Sequence, residues 1–118
     1  MKNYPTAVNR VISEKASAYI ASCLEDVVAN GSGKQAYIEG FRVGGKTGTA
    51  QKFENGKLSM GKYVMSFVGF FPANDPKYLA LVTVDEPVGG QYGSTVAAPI
   101  CKRIFEGIIE AKNLKRAI

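Results

Sequence analysis

Between Thr47 and Tyr63 the chain carries no helical stripe; glycines interrupt it at Gly48, Gly56 and Gly61, and Asn55-Gly56 is a two-residue turn signal. That stretch limits what its neighbours can form. A helix beginning at Lys46-Thr47 has Gly48 directly behind it and no apolar residues at helical spacing to continue it. An extended ribbon folding back at Asn55-Gly56 fits the pattern instead.

The flanking segments are more regular. Ser13 is a suitable N-cap for a helix whose stripe is Ala16, Tyr19, Ile20, Cys23, Leu24, Val27 and Val28, and Asn30-Gly31-Ser32-Gly33 stops it. Segments beginning near Phe41, Tyr63 and Tyr78 read as strands, the first spanning Phe41–Gln51, with Lys52–Lys62 between the first two. Pro72-Ala73-Asn74-Asp75-Pro76 is a turn between the second and third. Pro87 and Gly89-Gly90 close the third strand. Ser94 is placed to cap a last helix that tolerates Pro99 in its early turns. Ile100, Cys101, Ile104, Phe105, Ile108 and Ile109 would form its buried face. The expected class is α+β: an antiparallel sheet of about three strands packed by an N-terminal and a C-terminal helix. The Phe41–Gln51 strand would present a free edge unless further protein covers it.

Composition narrows the chemistry. At 118 residues the chain is one domain at most, and no apolar run approaches a membrane span or a secretory signal. Histidine is absent, so Ser-His-Asp and Cys-His arrangements and imidazole metal ligands are all excluded. Cys23 and Cys101 make neither a zinc site nor a disulfide framework, and each is expected to be a small buried hydrophobe, with a disulfide as the alternative. Fifteen Lys and Arg against ten Asp and Glu give a net charge of +5. The basic residues are scattered, apart from Lys112, Lys115 and Arg116 near the end. They read as a solvated helix terminus, and no nucleic-acid partner is expected.

The chemistry-bearing residues are Gly44-Gly45-Lys46-Thr47-Gly48-Thr49, and two readings compete for them. Gly40 to Thr47 satisfies G-x-x-x-x-G-K-[ST], and Leu79–Glu86 resembles an apolar strand ending in a magnesium-binding acid, which together suggest a nucleotide hydrolase. A phosphate loop needs a helix opening at its Lys-Thr pair, however, and that context is missing. The other reading puts Lys46, Thr47, Gly48 and Thr49 within a strand beside a ligand groove. Lys46 then supplies a fixed positive charge, and Thr47 and Thr49 supply hydroxyl donors for a carboxylate. Gly48 permits close approach, and a backbone N–H can stabilise an oxyanion. An exposed polar strand with no ligand remains the plain alternative.

Val43-Gly44-Gly45-Lys46-Thr47-Gly48-Thr49-Ala50-Gln51 resembles the K-T-G-T-A-Q strand of penicillin-binding proteins. The likeness extends to Val11-Ile12-Ser13, Leu24-Glu25-Asp26-Val27-Val28, Ser66-Phe67-Val68-Gly69-Phe70, Val84-Asp85-Glu86-Pro87, Tyr92-Gly93 and Ala97-Ala98-Pro99. In order, these resemble the C-terminal part of a class B transpeptidase domain of the division or sporulation type, with a partial serine β-lactamase-like fold. The resemblance implies a parent enzyme of the bacterial cell membrane, acting on its outer face, that cross-links peptidoglycan stem peptides through an acyl-serine. β-Lactams would acylate that serine, and no cofactor is implied. Carried onto this chain, Lys46 is the catalytic-site cation, Thr47, Gly48 and Thr49 bind substrate, and the Thr49 backbone N–H is half of the oxyanion hole.

The family's other two motifs are not in the chain. No serine begins S-x-N, and the only S-x-x-K match is Ser59-Met60-Gly61-Lys62, expected to be a loop serine because it follows K-T-G. Residues 1–118 therefore read as a single incomplete domain, silent alone and completed by the N-terminal part of the transpeptidase domain. A free-standing protein-interaction module is the leading alternative, ahead of the nucleotide hydrolase.

Overall fold

The computed structural model describes residues 5, 6, 8–88 and 96–116. Helix α1 spans Glu14–Asn30, a single 3-10 turn covers Lys34–Ala36, strands β1 (Gly44–Glu54), β2 (Lys57–Phe71) and β3 (Tyr78–Asp85) follow, and helix α2 spans Ala98–Lys112. The three strands form one antiparallel sheet in the order β1-β2-β3, so both β1 and β3 are edges. This is the α+β class and strand number expected. The Gly89-Gly90 stop, the Ser94 cap and Tyr92-Gly93 lie outside the described residues.

Local chemistry sets the boundaries. The Ser13 hydroxyl accepts the Ala16 N–H at 3.0 Å, the bond that opens α1. Helix α2 begins with Pro99 in its first turn and ends on Asn113, left-handed at φ 50°, with the Leu114 N–H donating to the Ile109 carbonyl. The first strand begins at Gly44, later than Phe41: Arg42 sits at φ 52°, and its carbonyl accepts from Ala73 in the β2–β3 turn, so the chain is still bending there. Lys52–Lys62 forms the hairpin that its Asn55-Gly56 signal predicts. β1 and β2 run on as a ribbon to a two-residue turn at Asn55-Gly56, with Glu54 opposite Lys57 and Phe53 opposite Leu58. An irregularity between Gln51 and Phe53 shifts the register, and Gly61 at φ 76° lies in the extra length of β2. The radius of gyration is 16.2 Å, above the roughly 13–14 Å of a compact chain this long, as a projecting ribbon requires.

Core density lies on one face of the sheet. Met65, Phe67 and Phe71 of β2 are fully buried together with Cys101 and Phe105 of α2. The Phe71 and Phe105 ring centroids are 4.7 Å apart, and Phe71 stacks on Tyr78 at 5.1 Å. A β-carbon at Gly69 would fall 2.7 Å from the Cys101 sulfur, so α2 seats against β2 only because that position is bare. Two stripe expectations fail here. Ile100 and Ile104 are exposed on α2, because its apolar surface is wider than the strip the sheet covers. On α1 only Val28 is buried; Tyr19 is 71% exposed and Cys23 is exposed, which corrects the reading of Cys23 as a core residue. An apolar stripe reports amphipathicity, not what lies opposite it.

Candidate functional site

The approach to β1 is fixed by two rings. A β-carbon on Gly44 would lie 2.7 Å from the Phe70 ring, and one on Gly45 would lie 2.5 Å from the Phe67 ring. The Gly44-Gly45 pair therefore lets β1 pass flush under two phenylalanines, a packing role unrelated to phosphate. Arg42, just before it, donates from Nε and Nη2 to both Glu25 carboxylate oxygens at 2.9 and 3.0 Å, tying this end of β1 to α1. That hydrogen bond, and then the charge of Glu25, raise the Arg42 pKa.

Lys46-Thr47-Gly48-Thr49 follows in extended conformation on the free edge. Lys46 lies opposite Val68 and Gly48 opposite Ser66, whereas Thr47 and Thr49 lie opposite Phe67 and Met65. Alternation thus sends the lysine and the two hydroxyls to opposite faces of the sheet. They still meet, because among the described residues nothing pairs with the outer edge of β1: the Lys46 ammonium curls over it and donates to the Thr47 carbonyl at 3.3 Å and to Thr47 Oγ1 at 3.4 Å. Lys46 and Thr49 are exposed, and Thr47 and Gly48 half-buried. Among the described residues no carboxylate pairs with Lys46. An extended edge carrying a cation, two hydroxyls and a bare glycine suits a ligand that is itself extended and ends in a carboxylate.

The acids of the nucleotide-hydrolase reading are elsewhere and occupied. Asp85 and Glu86, at the end of β3, hold the Lys52 ammonium at 2.6 and 3.2 Å. Hydrogen bonds to Asp85 first, and then to Glu86, raise the Lys52 pKa. With β2 between β1 and β3, and with no helix opening at Lys46, the geometry overturns the phosphate-loop reading.

Ser59 also corrects an expectation. It is a half-buried residue of β2 rather than a loop serine, and its carbonyl accepts from Gln51 Nε2 at 2.9 Å. It lies near the ribbon's turn, and Lys62, the lysine of the S-x-x-K match, is engaged with Glu54 at 2.8 Å, a contact that lowers the Glu54 pKa. The residue across from Gly48, Ser66, carries no role in the sequence reading beyond membership in the Ser66–Phe70 run. The register that places it there is set by the irregularity at Gly61, and Gly61 is its only signal in the sequence. Among the described residues no helix is long and apolar enough to cross a membrane, and no three His, Cys, Asp or Glu side chains group as metal ligands.

The comparisons with known proteins converge on one family. Stage V sporulation protein D of Bacillus subtilis is 48% identical over 115 residues, 97% of this chain and 18% of that protein. A peptidoglycan D,D-transpeptidase FtsI homolog of Chlorokybus atmophyticus is 43% identical over 111 residues, 92% of this chain and 16% of that protein. The chain therefore spans less than a fifth of the length of these curated relatives. Among solved structures, the apo transpeptidase domain of Burkholderia pseudomallei penicillin-binding protein 3 superposes with a TM-score of 0.84 at 34% identity, covering 100% of this chain and 37% of that one. Residues 1–106 match the penicillin binding protein transpeptidase domain, and the chain belongs to that family.

Proposed function

We propose that this chain supplies the substrate- and penicillin-binding strand of a peptidoglycan D,D-transpeptidase that works in division- or sporulation-type wall synthesis, on the outer face of the bacterial cell membrane. The observation that carries this is the run Lys46-Thr47-Gly48-Thr49 extended along a free sheet edge, with the ammonium lying across that edge on Thr47.

Each group has a chemical task. Lys46 offers a positive charge to the carboxylate at the end of a stem peptide or on a β-lactam, and the Thr47 and Thr49 hydroxyls donate to the same carboxylate. Gly48 keeps the strand bare where the ligand backbone passes. The Thr47 carbonyl accepts from Lys46 at the outer edge, and the two-residue repeat of an antiparallel strand directs the Thr49 peptide groups the same way. The Thr49 N–H is then available as one donor of an oxyanion hole. In the reaction a serine outside this chain attacks the D-alanyl-D-alanine carbonyl, the terminal D-alanine leaves, and an amine of a second stem peptide takes the acyl group. The N-terminal part of the transpeptidase domain brings that serine, so residues 1–118 form one part of a larger catalytic domain and are silent alone.

Labelling with a fluorescent penicillin tests both statements. The full-length protein is expected to label at a serine upstream of Met1, and Lys46→Ala to slow that acylation by about 100-fold or more, the scale of a lost transition-state charge contact. Unchanged acylation in Lys46→Ala removes the role given to this strand. A covalent adduct on Ser59, or elsewhere in the isolated 118-residue chain, removes the claim of silence.

A further inference from the structure

One hydroxyl beside the proposed binding strand has no assigned task. Ser66 of β2 lies directly across from Gly48 on one side and Thr83 of β3 on the other. Its Oγ stands 2.5 Å from the point that a β-carbon on residue 48 would occupy. Gly48 thus leaves a space on that face, and a hydroxyl from the neighbouring strand fills it. Ser66 is half-buried, and among the described residues its hydroxyl takes no partner.

Lys46 shares the face. It is opposite Val68, which makes Ser66 its diagonal neighbour one rung along, within reach of a long side chain. The ammonium has three donors. Its two contacts to Thr47, at 3.3 and 3.4 Å, are long for charge-assisted bonds, which run to about 2.7–2.9 Å. The lysine is loosely seated, with one N–H left over.

We infer that Ser66 is a positioning residue for Lys46: its hydroxyl, housed in the space left by Gly48, accepts the remaining ammonium N–H and steadies the charge at the β1 edge when a ligand carboxylate draws on the Thr47 hydroxyl. Val68 and Leu81, on Lys46's own rung, can accept nothing, so Ser66 is the side chain across the β1–β2 ladder from which Lys46 can gain an acceptor on that face. The inference rests on the role proposed above for Lys46.

A double-mutant cycle in the full-length protein, read as the rate of acylation by fluorescent penicillin, separates this role from simple space-filling. Ser66→Ala is expected to slow acylation about tenfold when Lys46 is present, the scale of a hydrogen bond to a charged group, and less than about twofold in Lys46→Ala. Ser66→Thr, which keeps the hydroxyl, should stay within about threefold of the parent. An equal factor in both backgrounds, no effect of Ser66→Ala, or a Thr variant as slow as the Ala variant overturns the inference. The two readings fail separately. If Lys46→Ala acylates at the parental rate, the binding strand itself is misassigned and Ser66 goes with it; if Lys46→Ala is slow but the two losses simply multiply, only Ser66 is misassigned.

Discussion

The two faces of the sheet are unlike. On the α2 face, Met65, Phe67 and Phe71 are sealed beneath Cys101 and Phe105. On the other face the rungs read Gly44–Phe70–Leu79, Lys46–Val68–Leu81, Gly48–Ser66–Thr83 and Ala50–Val64–Asp85. α1 packs against β1, and at the Phe70 end its Ile20 and Leu24 share a cleft of about 370 Å³ with Phe70 and Leu79. Leu79 and Leu81 remain 72% and 67% exposed. The closed face is what allows a three-stranded sheet to hold a shape. The open face carries the lysine, the bare glycine and the unpartnered hydroxyl, together with apolar residues that a further layer of the transpeptidase domain would cover. The Thr47 and Thr49 hydroxyls share the face of Phe67 and Met65, so the proposed chemistry straddles the β1 edge, while the packing that stabilises the sheet lies on the closed face.

The sharpest way to break that division is to truncate one side chain on each face. Phe105→Ala empties the centre of the closed face and should lower unfolding free energy by about 3–5 kcal/mol. Leu81→Ala removes a larger exposed apolar area but leaves no cavity, and should cost less than about 1 kcal/mol. Urea denaturation of the 118-residue chain measures both. Equal losses would mean that the open face is covered in solution.

How far this asymmetry was legible in the sequence depends on the residue. The Ser13 cap, the Asn55-Gly56 turn, the strand identity of Lys46–Thr49 and the free edge of β1 all follow from local rules, and the fold agrees with each. Cys23 and Cys101 sit in equally apolar stripes, yet one is exposed and the other buried, because burial depends on a neighbour that no stripe names. Register is the other blind spot. Counted back from Asn55-Gly56 without interruption, the ladder would set Gly48 opposite Tyr63; the irregularity near Gly61 sets it opposite Ser66, three residues further on. A shift by an odd number of residues exchanges the faces of a strand. The partner of Gly48, and with it the candidate hydroxyl, becomes visible only once the bulge is in place.

The cysteines turn the comparison into a pH experiment. Burial under β2 pushes the Cys101 thiol up to about 11. The folded state therefore keeps its proton where the unfolded chain, with a thiol near 8.5, gives it up. The sign follows: the stabilising contribution is complete below about pH 8.5 and is lost as pH rises toward 11, by up to about 3 kcal/mol. To isolate the thiol, the measurement is the difference between parent and Cys101→Ala in urea midpoints at pH 7 and pH 10.5. The gap should narrow at the higher pH. A gap independent of pH would place Cys101 in contact with water. At pH 8 a thiol reagent should meanwhile modify Cys23 at once and reach Cys101 only on unfolding.

The smallest effect belongs to the polar end of the open face. Lys52 reaches Asp85 at 2.6 Å and Glu86 at 3.2 Å, bridging the outer strands β1 and β3 past β2. Lys52 is half-buried, but Asp85 and Glu86 are exposed, and there ordering long side chains and salt screening cancel most of the attraction. Lys52→Ala should therefore leave the melting temperature within about 3 °C of the parent at low salt, and closer still at about 0.5 M salt. A salt-independent loss approaching that of Phe105→Ala would show that this ion pair lies beneath a covering layer. Such a layer would cover the end of the open face next to the Gly48–Ser66–Thr83 rung.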